Sequence, residues 1–295
     1  MANNLAALKT TGFERFHEVL AQQTEGSARA CRVITTDTKN LDLGMSFGTG
    51  LYAAAGTGDL AATDIISDSA VLASLNWEKK ERIRWQDQLD NPDLAMQRVA
   101  LMANRGAASL RNIVSTGITG LFTLAHPLAG GPTGVLAGTK FIDATIEFNA
   151  AAGTQSNLLA ASALSYATFA TARQVLGQYF GQDGVALGLG ENVRLVTGIT
   201  HQDVGREIVQ SSVSSAAMQS NVAGQAIDEL IVIPGLTSKW FVIDSTTNPL
   251  VLHVRKMPQI NISETTDGIF IEMTATMTAT FGVMPSEAGI VGSNF

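Results

Sequence analysis

The chain has 295 residues, of which 45% are hydrophobic, 6% aromatic and only 15% charged. A soluble domain usually carries about 25% charged residues, so this surface is short of charge, and its hydrophobicity excludes intrinsic disorder. A formal net charge of -7, with 19 scattered Lys and Arg, argues against a protein that grips phosphate backbones.

Length allows one large domain or two ordinary ones. The single cysteine, Cys31, makes no internal disulfide, which fits a reducing compartment. Met1-Ala2-Asn3-Asn4-Leu5 has no basic region leading into an apolar core, so no secretory signal is read. Three runs carry almost no charge: Asn112 to Thr139, Phe148 to Ala172 and Ile208 to Ile227. They are too rich in Gly, Ser, Thr, Asn, Gln and Pro to span a membrane.

Residues 3–24 read as an amphipathic helix, with Phe13, Phe16, Val19 and Leu20 on one face and Gly26 as a stop. From Leu41 to Thr63 the Gly-rich, almost uncharged LDLGMSFGTGLYAAAGTGDLAAT has no helical stripe. It reads as a long excursion, a mobile β-hairpin or loop, of a length that compact domains rarely carry without a role. Residues 70–85 alternate loosely around Leu72, Trp77, Ile83 and Trp85. Lys79, Lys80, Arg82 and Arg84 are interleaved with Glu78, Glu81 and Asp87, the mark of a solvated mixed-charge face.

Asn91-Pro92-Asp93 is a good helix start, with Asn as cap, Pro in the first turn and Asp at the positive dipole end. The helix is expected to run to about Ser115, roughly 35 Å, burying Val99, Met102, Ala103, Gly106, Leu110, Ile113 and Val114. Gly130-Gly131-Pro132-Thr133-Gly134 is a loop by composition. A second long helix is expected from Asn157 to Phe180, closed by Gly181. Asn192–Thr197 is a short strand, and Thr200-His201-Gln202-Asp203 opens a helix through Val209. Strands follow at Glu229–Ile233, Trp240–Ile243 and Leu250–Met257. The clearest element is the last. Ile269, Ile271, Met273, Ala275, Met277, Ala279, Phe281 and Val283 alternate with Glu272, Thr274, Thr276, Thr278 and Thr280. That is a strand of about 15 residues and near 50 Å, where about 5 or 6 residues is usual.

No pattern for chemistry emerges. The chain lacks a P-loop, a nucleophile elbow and H-E-x-x-H. Gly48, Gly50, Gly56 and Gly58 do not complete a dinucleotide fingerprint. His17, His126, His201 and His253 have no metal-ligand spacing. His201, in a helix first turn, is expected to be exposed, and His253 paired or exposed. Asp87, Asp90 and Asp93 serve a helix start, and Asp183 a turn. No catalytic, cofactor-binding or metal residue is assigned, and the chain is not read as an enzyme.

The order of features in the second half carries a resemblance. His126-Pro127 follows the long helix. Then come the Ala-rich helix, Asp183-Gly184, Val193-Arg194-Leu195-Val196, and Leu230-Ile231-Val232-Ile233-Pro234. Trp240-Phe241-Val242-Ile243-Asp244, Asn248-Pro249-Leu250 and Arg255-Lys256-Met257-Pro258 complete the series. This order, over roughly residues 70–285, resembles the major head subunit of Mu-like phages and prophages. One departure is Thr197-Gly198, where that family tends to have a proline.

The resemblance implies an α+β chain with the Hong Kong 97-type capsid fold. It would comprise an N-terminal arm (1–35), an extended E-loop (36–76), a P domain with the spine helix (77–120), an A domain (121–235) and P-domain return strands (236–295). The implied function is a major capsid protein forming hexamers and pentamers in an icosahedral phage head, in the virion and assembled in the bacterial host cytoplasm. The implied partners are further copies of the chain, a separate scaffolding protein, a portal protein, packaged double-stranded DNA held without base reading, and room for a decoration protein. No membrane and no cofactor are implied. Phe13 and Phe16 of the arm, and Phe47, Leu51, Tyr52 and Leu60 of the E-loop, are expected at contacts between subunits. The charge-poor runs fit surfaces that face neighbours, where desolvating charge is costly. An encapsulin-like compartment shares the fold, and a soluble α+β enzyme such as a hydrolase is a further alternative. Some relatives crosslink through an E-loop lysine. Here no lysine lies between Lys39 and Lys79, so no such bond is expected.

Overall fold

The computed structural model describes residues 2–23, 27–47, 66–91, 93–124, 140–144, 146–147, 154–179, 186–210, 227–284 and 289–294. Helix α1 (Ala2–Gln23) leads through a 3-10 turn to β1 (Arg32–Thr35), then to β2 (Asn40–Phe47), β3 (Ile66–Ala73) and β4 (Leu75–Arg84). Helices α2 (Trp85–Asp90) and α3 (Leu94–Gly120) follow, then the two-residue strands β5 (Ile146–Glu147), β6 (Thr154–Gln155) and β7 (Leu158–Leu159). Next come α4 (Tyr166–Gly177), β8 (Val193–Thr197), α5 (Gln202–Gln210), β9 (Ile227–Val232) and β10 (Trp240–Asp244). The chain closes with β11 (Leu250–Glu264), β12 (Phe270–Val283) and β13 (Ile290–Ser293).

Two sheets organise these elements. A four-stranded sheet has the order β1-β11-β12-β4, and a five-stranded sheet the order β7-β13-β10-β8-β9. The period-two pattern of β12 becomes a 14-residue strand paired on both sides, with β11 and with β4. Its alternation holds at Ile271 and Met273, but Met277 to Thr280 are buried on both faces. β11 runs to Glu264, beyond the expected Met257, because β12 supplies ladder partners for that length.

Helix α3 lies across this sheet. Ala95, Val99, Met102, Ala103, Ala107, Leu110, Val114 and Ile118 form its buried stripe. The helix extends five residues past Ser115, to Gly120, so it is about 40 Å long. Its cap is Asp93 rather than Asn91, whose Oδ1 instead accepts from the Asp93 N–H at 3.3 Å. The first half of the stripe packs with α1 and the far half of β11–β12, around Phe16, Ile262, Ile271 and Met273. The second half packs with Phe241, Ile243, Leu252 and Ala279. Trp240, Val242 and Val291, on the other face of the five-stranded sheet, pack with Phe169, Leu176 and Ile208 of α4 and α5.

The division expected at residue 235 does not separate the two sheets. β10 and β13 belong with β8 and β9, and β1, expected in the arm, is an edge strand of the other sheet. The helix expected over 157–180 is also shorter. Asn157 is buried in extended chain. Its Nδ2 donates to Phe141 O at 2.9 Å and its Oδ1 accepts from Asp143 N at 2.7 Å. Leu158 and Leu159 then pair with β13. The helix begins only where Ser165 and Thr168 close a capping box.

Two turns around the five-stranded sheet are tightly specified. Gly198 donates its N–H to Lys239 O at 3.1 Å, and a Cβ there would lie 1.8 Å from Thr237 O. Neither a proline nor any side chain fits, which accounts for the departure at Thr197-Gly198. Thr237 itself has a φ of 53°, a strained setting for a β-branched residue. Asp244 is 2% exposed and ends β10. Its carboxylate accepts from the N–H groups of Gly190 at 2.8 Å, Thr246 at 2.9 Å and Thr247 at 3.2 Å. Burial pushes its pKa up, but these hydrogen bonds together outweigh burial and hold it below the ordinary 3.8. Gly198→Ala is expected to cost about 1–3 kcal/mol by overpacking. Asp244→Asn is expected to cost a similar amount, about 1–3 kcal/mol, at neutral pH. Urea denaturation against pH checks the second. The Asp244 contribution is complete above pH 3.8 and declines as the pH falls through the lowered native value, so variant and wild type converge in acid.

Candidate assembly surface

The root of the β2–β3 hairpin is fixed to the long sheet. Ser74 donates both its N–H and its Oγ–H to Lys39 O at 2.9 Å. Arg255 Nε donates to Asp37 O at 2.8 Å, and Thr278 Oγ1 to Asn76 Oδ1 at 2.9 Å. Leu72 covers Gly282, where a Cβ would come within 2.6 Å of its methyl. Past this root, β2 and β3 pair over eight residues with each other alone among the described elements. A two-stranded ribbon is marginal in water, and its outer edges present unpaired backbone groups. Of the excursion expected over Leu41–Thr63, residues 41–47 run along β2, which pairs with β3; the rest lies outside the described residues.

Beside the root lies an open apolar groove of about 560 Å³. It is bounded by the last turns of α3, by the hairpin root and by Thr280 to Val283 of β12. Among the described residues no charged side chain lines it. Val71 is 63% exposed, Leu75 55%, Trp77 41% and Leu124 40%. Trp77 is held by its indole N–H, which donates to Ala279 O at 3.1 Å. The ladder of β4 with β12 ends at Leu75–Ala279, so the outer edge of β12 beyond Ala279 has no strand partner among the described residues.

Part of the mixed-charge run of β4 is paired within the chain. Glu272 pairs with Lys80 at 2.8 Å and Arg82 at 2.9 Å, and Arg105 pairs with Glu81. Hydrogen bonds from Lys80 and then Arg82 hold the Glu272 carboxylate below its ordinary range. Among the described residues no three His, Cys, Asp or Glu side chains gather to hold a metal ion. No described helix is long and apolar enough to cross a membrane. Cys31 is buried, and burial pushes its thiol well above the ordinary range. His201 is buried rather than exposed, in a 3-10 turn whose His201 N–H donates to Gly198 O at 3.2 Å.

The six expected contact residues fare differently. Phe13 is 49% exposed and meets the His17 ring edge-on at 4.3 Å. Phe16 is a correction: it is fully buried in the chain's own core. Leu8, Gly12 and Phe16, spaced by four, form the inward stripe of α1, so the expected stripe through Phe13 is turned by nearly one position. Phe47 ends β2 opposite Ile66. Leu51, Tyr52 and Leu60 lie outside the described residues, as does His126. Sequence reasoning missed Val71, Leu75 and Leu124. The signal available was that Leu75 and Trp77 alternate with Asn76 and Glu78 on a strand too polar for a core.

No family model and no curated protein sequence matches the chain. Solved structures do match its fold. A virus-like particle from Pyrococcus furiosus matches with a TM-score of 0.57 at 10% identity, over 97% of this chain and 98% of that one. The capsid of a native GTA particle matches at 0.58 and 13% identity, over 91% and 89%. The mature capsid of bacteriophage PhiM1 matches at 0.55 and 12% identity, over 90% and 85%. The chain thus has the α+β Hong Kong 97-type capsid fold.

The two classes of apolar residue separate by experiment. Phe16→Ala is expected to cost about 3–5 kcal/mol in chemical denaturation of the unassembled chain. Val71→Ser and Leu75→Ser are expected to change its stability by no more than about 0.5 kcal/mol each.

Proposed function

We propose that the protein is a non-enzymatic shell subunit, the major capsid protein of a phage head. The observation that carries this reading is the coverage of the fold. The virus-like particle subunit and this chain overlap over 98% and 97% of their lengths, so the likeness takes in both sheets and the long helix rather than one piece of the fold. The β2–β3 ribbon and the apolar groove support it, since both present surface that the other described residues leave uncovered. Copies would join through heterologous contacts that close into rings, forming hexamers and pentamers. Many modest interfaces would add through multivalency. Double-stranded DNA would be confined by an acidic wall rather than read, in a head assembled in the bacterial cytoplasm with a scaffolding protein and a portal. A decoration protein would bind outside.

On this reading α1 is the arm, β2–β3 the E-loop, and α3 with the four-stranded sheet the P domain. The five-stranded sheet with α4 and α5 is the A domain, taking in β10 and β13. The narrower affinity to Mu-like head subunits rests on the order of sequence motifs from His126-Pro127 to Arg255-Lys256-Met257-Pro258. An encapsulin-like compartment is the second reading, favoured by the virus-like particle among the similar structures.

Electron microscopy of the purified chain, expressed with and without a co-encoded scaffold, tests the proposal. Large closed shells are expected, and a persistent small species under both conditions defeats it. Nuclease-protected DNA in shells from the native source supports the head, and enclosed protein cargo supports the compartment. Val71→Ser with Leu75→Ser is expected to cut shell yield severalfold. Denatured shells are expected to run as a monomer band, without a covalent ladder.

A further inference from the structure

Beneath the hairpin root sits a histidine that no reading so far has used. His253 of β11 is 0% exposed. Its strand neighbours are Ile34 on β1 and Thr280 on β12. Gly282 shares its face of the sheet, and Leu72 of β3 lies on Gly282, so the hairpin root covers this face. His253 Nε2 shares a 2.9 Å hydrogen bond with Thr36 Oγ1, which is 3.0 Å from Thr38 Oγ1. Thr36 and Thr38 belong to the link between β1 and β2. The second ring nitrogen, Nδ1, is buried and has no hydrogen-bond partner.

We propose that the His253–Thr36 contact is a pH-sensitive latch that seats the root of the β2–β3 hairpin on the long sheet. A neutral imidazole satisfies Thr36 through Nε2 and leaves Nδ1 bare. Protonation at Nδ1 creates a cation with no acceptor in reach, and a buried unpaired charge is costly. The charged groups on the surrounding elements do not help it. Arg255, on its own strand, adds like charge and uses Nε on Asp37 O. The β1–β2 link carries Asp37 and Lys39, both exposed. β12 and β3 offer the neutral Thr278, Thr280, Leu72 and Ser74. Burial first, and Arg255 second, hold the imidazole below its ordinary pKa of 6.5. The neutral state is therefore favoured while the root is seated. An opened root lets the ring charge in water, so opening is promoted as the pH falls below 6.5 and levels off below the lowered native value. The cost falls on the link between the arm-side strand β1 and the hairpin, which His253 holds through its hydrogen bond to Thr36.

Hydrogen exchange on the full-length unassembled chain tests this without reference to shell formation. Protection of residues 34–47 and 66–76, corrected for the intrinsic pH dependence of exchange, is expected to fall from pH 7.5 to 5.5. The one-proton limit is about tenfold per pH unit below the ordinary histidine value. Protection of β8 and β10 should hold over the same range. His253→Gln, which keeps a neutral partner for Thr36, is expected to abolish the root's pH dependence. If that variant does not fold, the histidine ring signals of the wild type decide. His253 should titrate below 6.5 in step with root opening. Root protection that is flat with pH, or that falls equally in His253→Gln, overturns the proposal.

Discussion

The ring of Phe281 lies directly on the backbone of α3 at Gly117, where a Cβ would stand 2.1 Å from the ring. That approach fixes the height of the helix above the β11–β12 ladder, and the rest of the structure follows from it. With the helix this close, one stripe of eight residues serves two apolar clusters in succession. The first ties α1 to the sheet and the second ties in the five-stranded sheet. A larger residue at 117 would lift the helix end and open the seam between the sheets, because packed interiors absorb even a methyl poorly.

Polar groups do the local fixing within this apolar frame. Asn157 joins the 140–143 segment to β13 through its side chain and through Gly292 N–H, which donates to Asn157 O at 2.9 Å. Asp244 gathers Gly190, Thr246 and Thr247. Ser293 Oγ donates to Ser162 O at 3.0 Å, the same carbonyl that accepts from the Trp240 indole. Each is a short side chain whose bonds are to backbone, so each sets the course of a loop rather than the strength of a core. This explains how a chain with so few charges keeps irregular connections in one place.

Much of the fold was legible in the residues, for identifiable reasons. The β12 alternation and the α3 stripe are long and strongly periodic, so their types were certain and only their ends moved. Asn157–Ser165 was misread because Leu158, Leu159 and Ala160 suit a helix as well as a buried strand. The partner that decides between them, β13, lies about 130 residues further on. Phe16 was read outward because four apolar residues on α1 allow two stripes, and only packing against Val99 and Ile262 selects one. The groove was hidden for a related reason. Leu75, Ile113 with Leu124, and Phe281 come from three separate stretches, and nothing local says they meet. The latch histidine shares that difficulty, since Thr36 and His253 are 217 residues apart.

The pairing of β1 with β11 is parallel and joins Arg32 to Val251. The five-stranded sheet likewise awaits β13 at Ile290–Ser293. Both sheets are therefore incomplete until the last strands have left the ribosome, and pairings of such long sequence separation form slowly. A nascent chain can fold α3 and the β2–β3 ribbon early, but it has no long sheet on which to seat either one. Closure of the two sheets is in this way a late event, set by strands far along the chain from their partners. The topology itself sets the order of events, with the local helix first and the long-range sheet pairings after it.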